Sequence, residues 1–235
     1  CRCGMDCEIL IADGFPGIEK IKTGHRIKSV CLQNLPLSMQ RHTDLQICMT
    51  GEREFVCCPE CFDYYSENLK PYNIAVYRGT KSVGGTYPED SAYNIGVAGN
   101  TVFLNEKICD KRVLERLCIN NRKIIRVKQG YAGCSAAFAG DKALITADRG
   151  IAAAAEKAGF DVLLILPGYI NLPGFDYGFI GGCCKKIGNK FFVSGSFKNH
   201  PDRHKIYNFL KKYNTEPAEL SNGVPLDIGS FLAVR

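Results

Sequence analysis

Four hairpins built on one plan limit what this chain can fold into. Aligned on their turn glycines they read Ile47-Cys-Met-Thr-Gly51-Glu-Arg-Glu-Phe-Val, Ile95-Gly-Val-Ala-Gly99-Asn-Thr-Val-Phe-Leu, Ala136-Ala-Phe-Ala-Gly140-Asp-Lys-Ala-Leu-Ile and Cys184-Lys-Lys-Ile-Gly188-Asn-Lys-Phe-Phe-Val. The glycines lie 48, 41 and 48 residues apart. A helical stretch follows each hairpin. After three of the four helices comes a short apolar strand: Asn73-Ile-Ala-Val-Tyr-Arg-Gly79, Lys123-Ile-Ile-Arg-Val-Lys-Gln-Gly130 and Asp161-Val-Leu-Leu-Ile-Leu-Pro-Gly168. A period of this length marks an array of supersecondary units that bury their apolar faces on one another. The predicted unit is ββαβ.

The 235 residues hold four such units, over about 40–79, 92–128, 129–168 and 175–220. The segment Pro225-Leu-Asp-Ile-Gly-Ser-Phe-Leu-Ala-Val234 resembles the first strand of a further unit, with no hairpin partner after it. Cys7-Glu-Ile-Leu-Ile-Ala12 is an apolar strand equally without one. Pairing these two ends gives a fifth unit from residues 225–235 and 7–39, and hence a single closed α/β ring over 1–235. Residues 13–40, rich in Gly and Pro, are expected to be its looped part.

No run of about 18 apolar residues is present, so no membrane-spanning helix is expected. The net charge of +6 is scattered along the chain and not gathered into a stripe with stacking aromatics, which argues against nucleic acid as the partner. No secretory signal precedes the first repeat, and the 13 cysteines include the adjacent pairs Cys57-Cys58 and Cys183-Cys184. Reduced thiols in a cytoplasmic setting are therefore expected. No cofactor or metal is expected. The alternative weighed is a zinc site drawing on Cys1, Cys3, Cys7, Cys58 and Cys61, whose spacing is not that of a knuckle pair.

Read as a strand, His42-Thr-Asp44-Leu-Gln46 places His42, Asp44 and Gln46 on one face and Leu45 and Ile47 on the other. That polar face belongs either to a solvated edge or to a cleft at the centre of the ring. Asn94, Asp176 and Asp227 occupy comparable places before the other hairpins. Two glycine-preceded cysteines, Cys134 and Cys183, sit at the start of the third and fourth units. Strand parity counted back from the turn glycines puts Cys183 in step with Asp44 and Asn94 and puts Cys134 out of step. A bulge at Gly133 or Gly181 reverses that count. The long loop over 78–91 is of a kind that often forms lids. His200 and His204, spaced for a metal pair, are read as a solvated first helical turn behind Pro201.

Gln129-Gly-Tyr-Ala-Gly-Cys-Ser, Ile145-Thr-Ala-Asp-Arg-Gly-Ile and Phe175-Asp-Tyr-Gly-Phe-Ile-Gly-Gly resemble a bacterial branch of the pentein fold, a five-unit α/β propeller. Gly140 to Gly150 with the helix and strand after it is similar in style to the ribosome anti-association factor, a pentein without catalysis. His42-Thr-Asp44 resembles the His-x-Asp of the guanidino-group modifying penteins, which are deiminases, dimethylarginine hydrolases and amidinotransferases. That resemblance implies a small cationic guanidino substrate, Asp44 as its carboxylate, His42 as general acid and base, and Cys134 or Cys183 as nucleophile. Gln46, Asn94, Asp176 and Asp227 would complete the substrate contacts. In the enzymes His-x-Asp falls late and the cysteine follows in the next repeat, whereas here His42 lies in the first full repeat. The resemblance to the anti-association factor implies a second class of function, a non-catalytic pentein that binds a small ligand or a macromolecular surface.

Overall fold

The structure, a computed structural model, describes residues 5–234. The chain runs through β1 (Cys7–Ile11) and β2 (Thr23–Ile27), then through four successive units. The first comprises α1 (Thr43–Gln46), β3 (Ile47–Gly51), β4 (Glu54–Cys57), α2 (Phe62–Leu69) and β5 (Ala75–Arg78). The second has β6 (Gly96–Ala98), β7 (Thr101–Leu104), α3 (Lys111–Ile119) and β8 (Lys123–Arg126). The third has β9 (Ala136–Gly140), β10 (Ala143–Thr146), α4 (Arg149–Lys157) and β11 (Asp161–Leu164). The fourth has α5 (Ile180–Cys183), β12 (Cys184–Ile187), β13 (Lys190–Val193), α6 (Arg203–Lys212) and β14 (Glu216–Glu219), and β15 (Leu232–Val234) follows.

Each unit makes a three-stranded sheet whose middle strand pairs antiparallel with the strand before it and parallel with the strand after the helix. The antiparallel step needs only a tight Gly turn, and the parallel step needs the helix as a crossover. Gly99 and Gly188 take φ of 52° and 63°, which a side chain would resist. The fifth sheet has the order β15-β1-β2, with Ile9 opposite Val234 and Cys7 opposite Thr23. The two chain ends thus close the ring as their unpaired strands require.

Two strands depart from expectation. β2 lies within the segment read as loop, and its pattern is mostly exposed, Thr-Gly-His-Arg-Ile, because it is an outer strand. β14 is Glu-Pro-Ala-Glu, which no apolar pattern reveals. Pro217 pairs with Phe191 at the sheet edge, where a strand tolerates a missing N–H. Two helices, α3 and α4, start at side-chain caps. Asp110 accepts from Arg112 N, Asp148 accepts from Ile151 N, and Gly159 with φ of 79° follows the end of α4. α6 begins after Asp202 and not at Pro201, because the His200 ring nitrogen Nδ1 takes the Asp202 N–H and holds the preceding turn. Among the described residues no helix is long and apolar enough to cross a membrane.

Candidate active site

The segments that lead into the inner strands are short turns, and this decides which side chains meet. His42 to Gln46 is a helical turn, α1, and not a strand, with the Asp44 N–H donating to Gly229 O at 3.1 Å. The expected alternation therefore fails. Gln46 turns into the core, where its Oε1 accepts from Tyr65 Oη at 2.8 Å and from Val30 N at 3.0 Å, while Nε2 donates to Val30 O. It braces α1 against α2 and stands apart from Asp44.

Tyr131 to Ser135 is likewise a turn, closed by Ser135 N donating to Tyr131 O, so strand parity does not govern Cys134. The Cys134 thiol donates to Asp44 Oδ2 at 2.8 Å. Asn94 Nδ2 donates to the same sulfur at 3.0 Å, and Asn94 Oδ1 accepts from Gly133 N and Cys134 N at 2.7 and 3.0 Å. With both ends of its amide committed, Asn94 positions the cysteine.

Asp227 accepts from Phe179 N and Gly229 N at 2.8 and 3.0 Å. Gly229, with φ of 67°, passes so close to His42 that a Cβ would overlap the imidazole. Gly182 stands against Asp227 in the same way. These two glycines carry the close approaches that bring His42, Asp44 and Asp227 together, and the sequence shows them only as ordinary turn residues.

His42, Asp44, Asn94, Cys134 and Asp227 are all buried. Burial pushes the Asp44 carboxyl up to about 6, with His42 opposing and the nearby Asp227 adding to the rise. Burial and then the Asp44 and Asp227 charges hold the Cys134 thiol well above its ordinary range. Neither Asp44 Oδ1 nor His42 Nε2 has a hydrogen-bond partner among the described residues. Two cavities reach this group. One, of about 450 Å³, is bordered by the hairpin turns and by Asp44, Gly133, Gly181, Lys185 and Ser230. The other, of about 360 Å³, is bordered by loops and by Asp13, Arg41, His42 and Asp227.

Other expected site residues lie elsewhere. Cys183 is fully buried, donates to Ile180 O at 3.2 Å and packs in a core cluster with Phe191 and Phe197. Asp176 is exposed and borders a separate cavity with Tyr169 and His200. Of the thiols considered for zinc, Cys1 and Cys3 lie outside the described residues, while Cys7 belongs to one core cluster and Cys58 and Cys61 to another. Among the described residues no three His, Cys, Asp or Glu side chains are grouped to hold a metal ion.

The profile of a family described as a family of unknown function (DUF6873) matches residues 18–232. The chain belongs to this family. No curated protein matches it. Among solved structures it is similar to DDAH from Pseudomonas aeruginosa, a cysteine-to-serine variant complexed with citrulline, at TM-score 0.56 and 11% identity over 92% of each chain. It is also similar to a histidine-to-glycine dimethylarginine dimethylaminohydrolase in adduct with S-methyl-L-thiocitrulline, at TM-score 0.57 and 11% identity over 97% of this chain and 99% of that one. SxtG, an amidinotransferase from Microseira wollei in the saxitoxin biosynthetic pathway, is similar at TM-score 0.50 and 10% identity over 97% and 94%. Among the described residues, five three-stranded sheets with the fifth built from strands near both ends, together with these likenesses, give this member of the family the pentein fold. The hairpin period indicates a closed α/β ring, and the motif resemblance is what implies the pentein fold.

Proposed function

We propose that this pentein is a cysteine-dependent enzyme of guanidino or amidine compounds, a hydrolase or an amidinotransferase. Cys134 is the nucleophile, Asp44 the carboxylate that receives the cation, and His42 the proton donor to the departing amine. The observation that carries the reading is the 2.8 Å contact of the Cys134 thiol with a carboxylate that keeps its second oxygen unpartnered. A planar cation is matched by such a carboxylate through charge-assisted hydrogen bonds. The solved structures of like fold, one named for dimethylarginine and one an amidinotransferase, support the same substrate class.

The two oxygens of Asp44 divide the work. Oδ1 pairs with the arriving guanidinium and Oδ2 takes the thiol proton, a transfer that the cation's positive charge beside the sulfur favours. The thiolate forms an S–C bond at the central carbon. One C–N bond then breaks, and the amine leaves with a proton from His42. Water, deprotonated by His42, displaces the sulfur to give a urea-type product, and the sulfur regains its proton from Asp44. An amine acceptor in place of water gives a new guanidine.

A second reading, a pentein that binds without turnover, is favoured by one observation. The thiol is held protonated by burial and by two carboxylates, with an amide, Asn94, beside the sulfur where an acid would serve a cation better. Brief labelling with a haloacetamidine, followed by mass spectrometry, separates the two. Enzymatic use of the site predicts that Cys134 labels ahead of every other cysteine. It also predicts that Asp44→Asn weakens guanidine binding at least about tenfold, and that His42→Ala spares binding and removes turnover. Uniformly slow labelling, with no guanidine bound in calorimetry, leaves the binding reading in place.

A further inference from the structure

A further cavity, of about 160 Å³, lies where the segment 165–180 meets the start of the third unit, and none of His42, Asp44, Cys134 and Asp227 borders it. Its walls are apolar, with Ile165, Ile170 and Ile180 buried behind Phe179. Leu166, Tyr169 and Tyr177 also border it, and they are 53%, 42% and 42% exposed. Large apolar side chains gathered at the edge of a concavity are a mark of ligand grooves.

One polar group on this wall stands out. Ser135 is 2% exposed, and its Oγ has no hydrogen-bond partner among the described residues. Its backbone is engaged, with N donating to Tyr131 O and O accepting from Thr146 Oγ1, so the hydroxyl alone is left over. The other buried or half-buried polar side chains here are committed. Gln129 Nε2 donates to Asp148 Oδ2, Gln129 Oε1 accepts from Tyr131 N, and Asp148 Oδ1 accepts from Ile151 N. A buried hydroxyl left without a partner is costly and uncommon in folded proteins.

We infer that this cavity is a second binding site, for a neutral compound of one aromatic ring bearing a single hydroxyl or amide that exchanges a hydrogen bond with Ser135 Oγ. Volume sets the size, since an apolar cavity of about 150 Å³ accepts a benzene ring. The walls set the charge. An ion would give up its water to isoleucine and phenylalanine side chains, and an anion would also meet the Asp148 carboxylate. A cation would find that carboxylate already held by Gln129 and by Ile151 N. The inference does not rest on the guanidinium reading of Asp44. It does place an occupant against two segments that brace the candidate active site. Ser135 N closes the turn that carries Cys134, and Phe179 N donates to Asp227 Oδ2 at 2.8 Å.

Saturation-transfer NMR titrations of the whole chain with phenol, toluene and tetramethylammonium test this. Phenol and toluene are expected to saturate one site, and tetramethylammonium to leave it unoccupied. Ser135→Ala should spare toluene and weaken phenol by about three- to tenfold, the worth of one hydrogen bond. Retained toluene binding shows that this variant is folded. Ala147→Leu fills the cavity from another wall residue and should weaken both rings at least about tenfold without lowering the Tm. If neither ring binds the wild type, the inference fails. It fails equally if Ser135→Ala leaves the phenol-to-toluene ratio unchanged, because the hydroxyl then recognises nothing. Tighter binding of tetramethylammonium than of phenol would overturn the ligand class, and full binding of both rings by a folded Ala147→Leu would overturn the place.

Discussion

Two turns of this molecule look interchangeable in sequence and do opposite things in the fold. Gly133-Cys134-Ser135 opens the third unit and Gly182-Cys183-Cys184 opens the fourth, each with a buried cysteine behind glycine. The first turn aims its thiol at Asp44, under the grip of the Asn94 amide on two backbone N–H groups. The second is a four-residue helix, and its thiol turns back onto Ile180 O in an apolar cluster. In the fourth unit it is Gly182 that faces Asp227, so a glycine stands where the third unit places its sulfur. The difference shows that a glycine-cysteine pair fixes no direction. The polar group waiting across the ring does.

The largest expected effect breaks or upholds this contrast outright. Cys134→Ala should lower turnover of a guanidine by at least about a thousandfold, as removal of a nucleophile does. Cys183→Ala should leave turnover per folded molecule within a few-fold. Steady-state assays on both variants decide it, and equal losses would erase the distinction between the turns.

The next effect is on stability and depends on pH. The folded Asp44 carboxyl sits near 6 against an ordinary 3.8. Its folded form therefore holds a proton that the unfolded chain has already lost between those values. Stability from this group is complete below about pH 4 and is lost as pH rises through about 6. Asp44→Asn removes that loss. The variant should unfold at higher urea than the wild type at pH 8, by up to about 3 kcal/mol from a shift of this size. Near pH 4 the two should converge. A gap that does not change with pH would mean that Asp44 is not the buried acid that the third-unit turn addresses.

The smallest effect sharpens the comparison from the other side. Gly182→Ala puts a methyl group against the Asp227 carboxylate. Overpacking of this kind costs about 1–3 kcal/mol. For a chain of this size each kcal/mol lowers Tm by roughly 2–4 °C. Calorimetric melting of this variant beside Gly14→Ala, where a Cβ meets open space, measures it. Equal Tm values would show that Asp227 gives way easily and that its place beside Asp44 is loosely set.

The sequence by itself determined the ring. A Gly turn between alternating strands, a capped helix and a return strand are local features, and their period, with an unpaired strand at each end of the chain, requires closure. It also supplied His42, Asp44, Asn94, Cys134 and Asp227 as candidates, which the structure gathers in one buried group. Tertiary structure alone decided the rest. Cys134 and Asp44 are 90 residues apart in the chain, and no local pattern couples them. Gln46 was drawn away because α1 is helical, so two residues on is no longer the same face. Asp176 was drawn away because it stands on an exposed loop. Hairpins and helices form from neighbours in sequence, whereas a site at the centre of a ring forms from turns whose directions are set by what faces them across the axis.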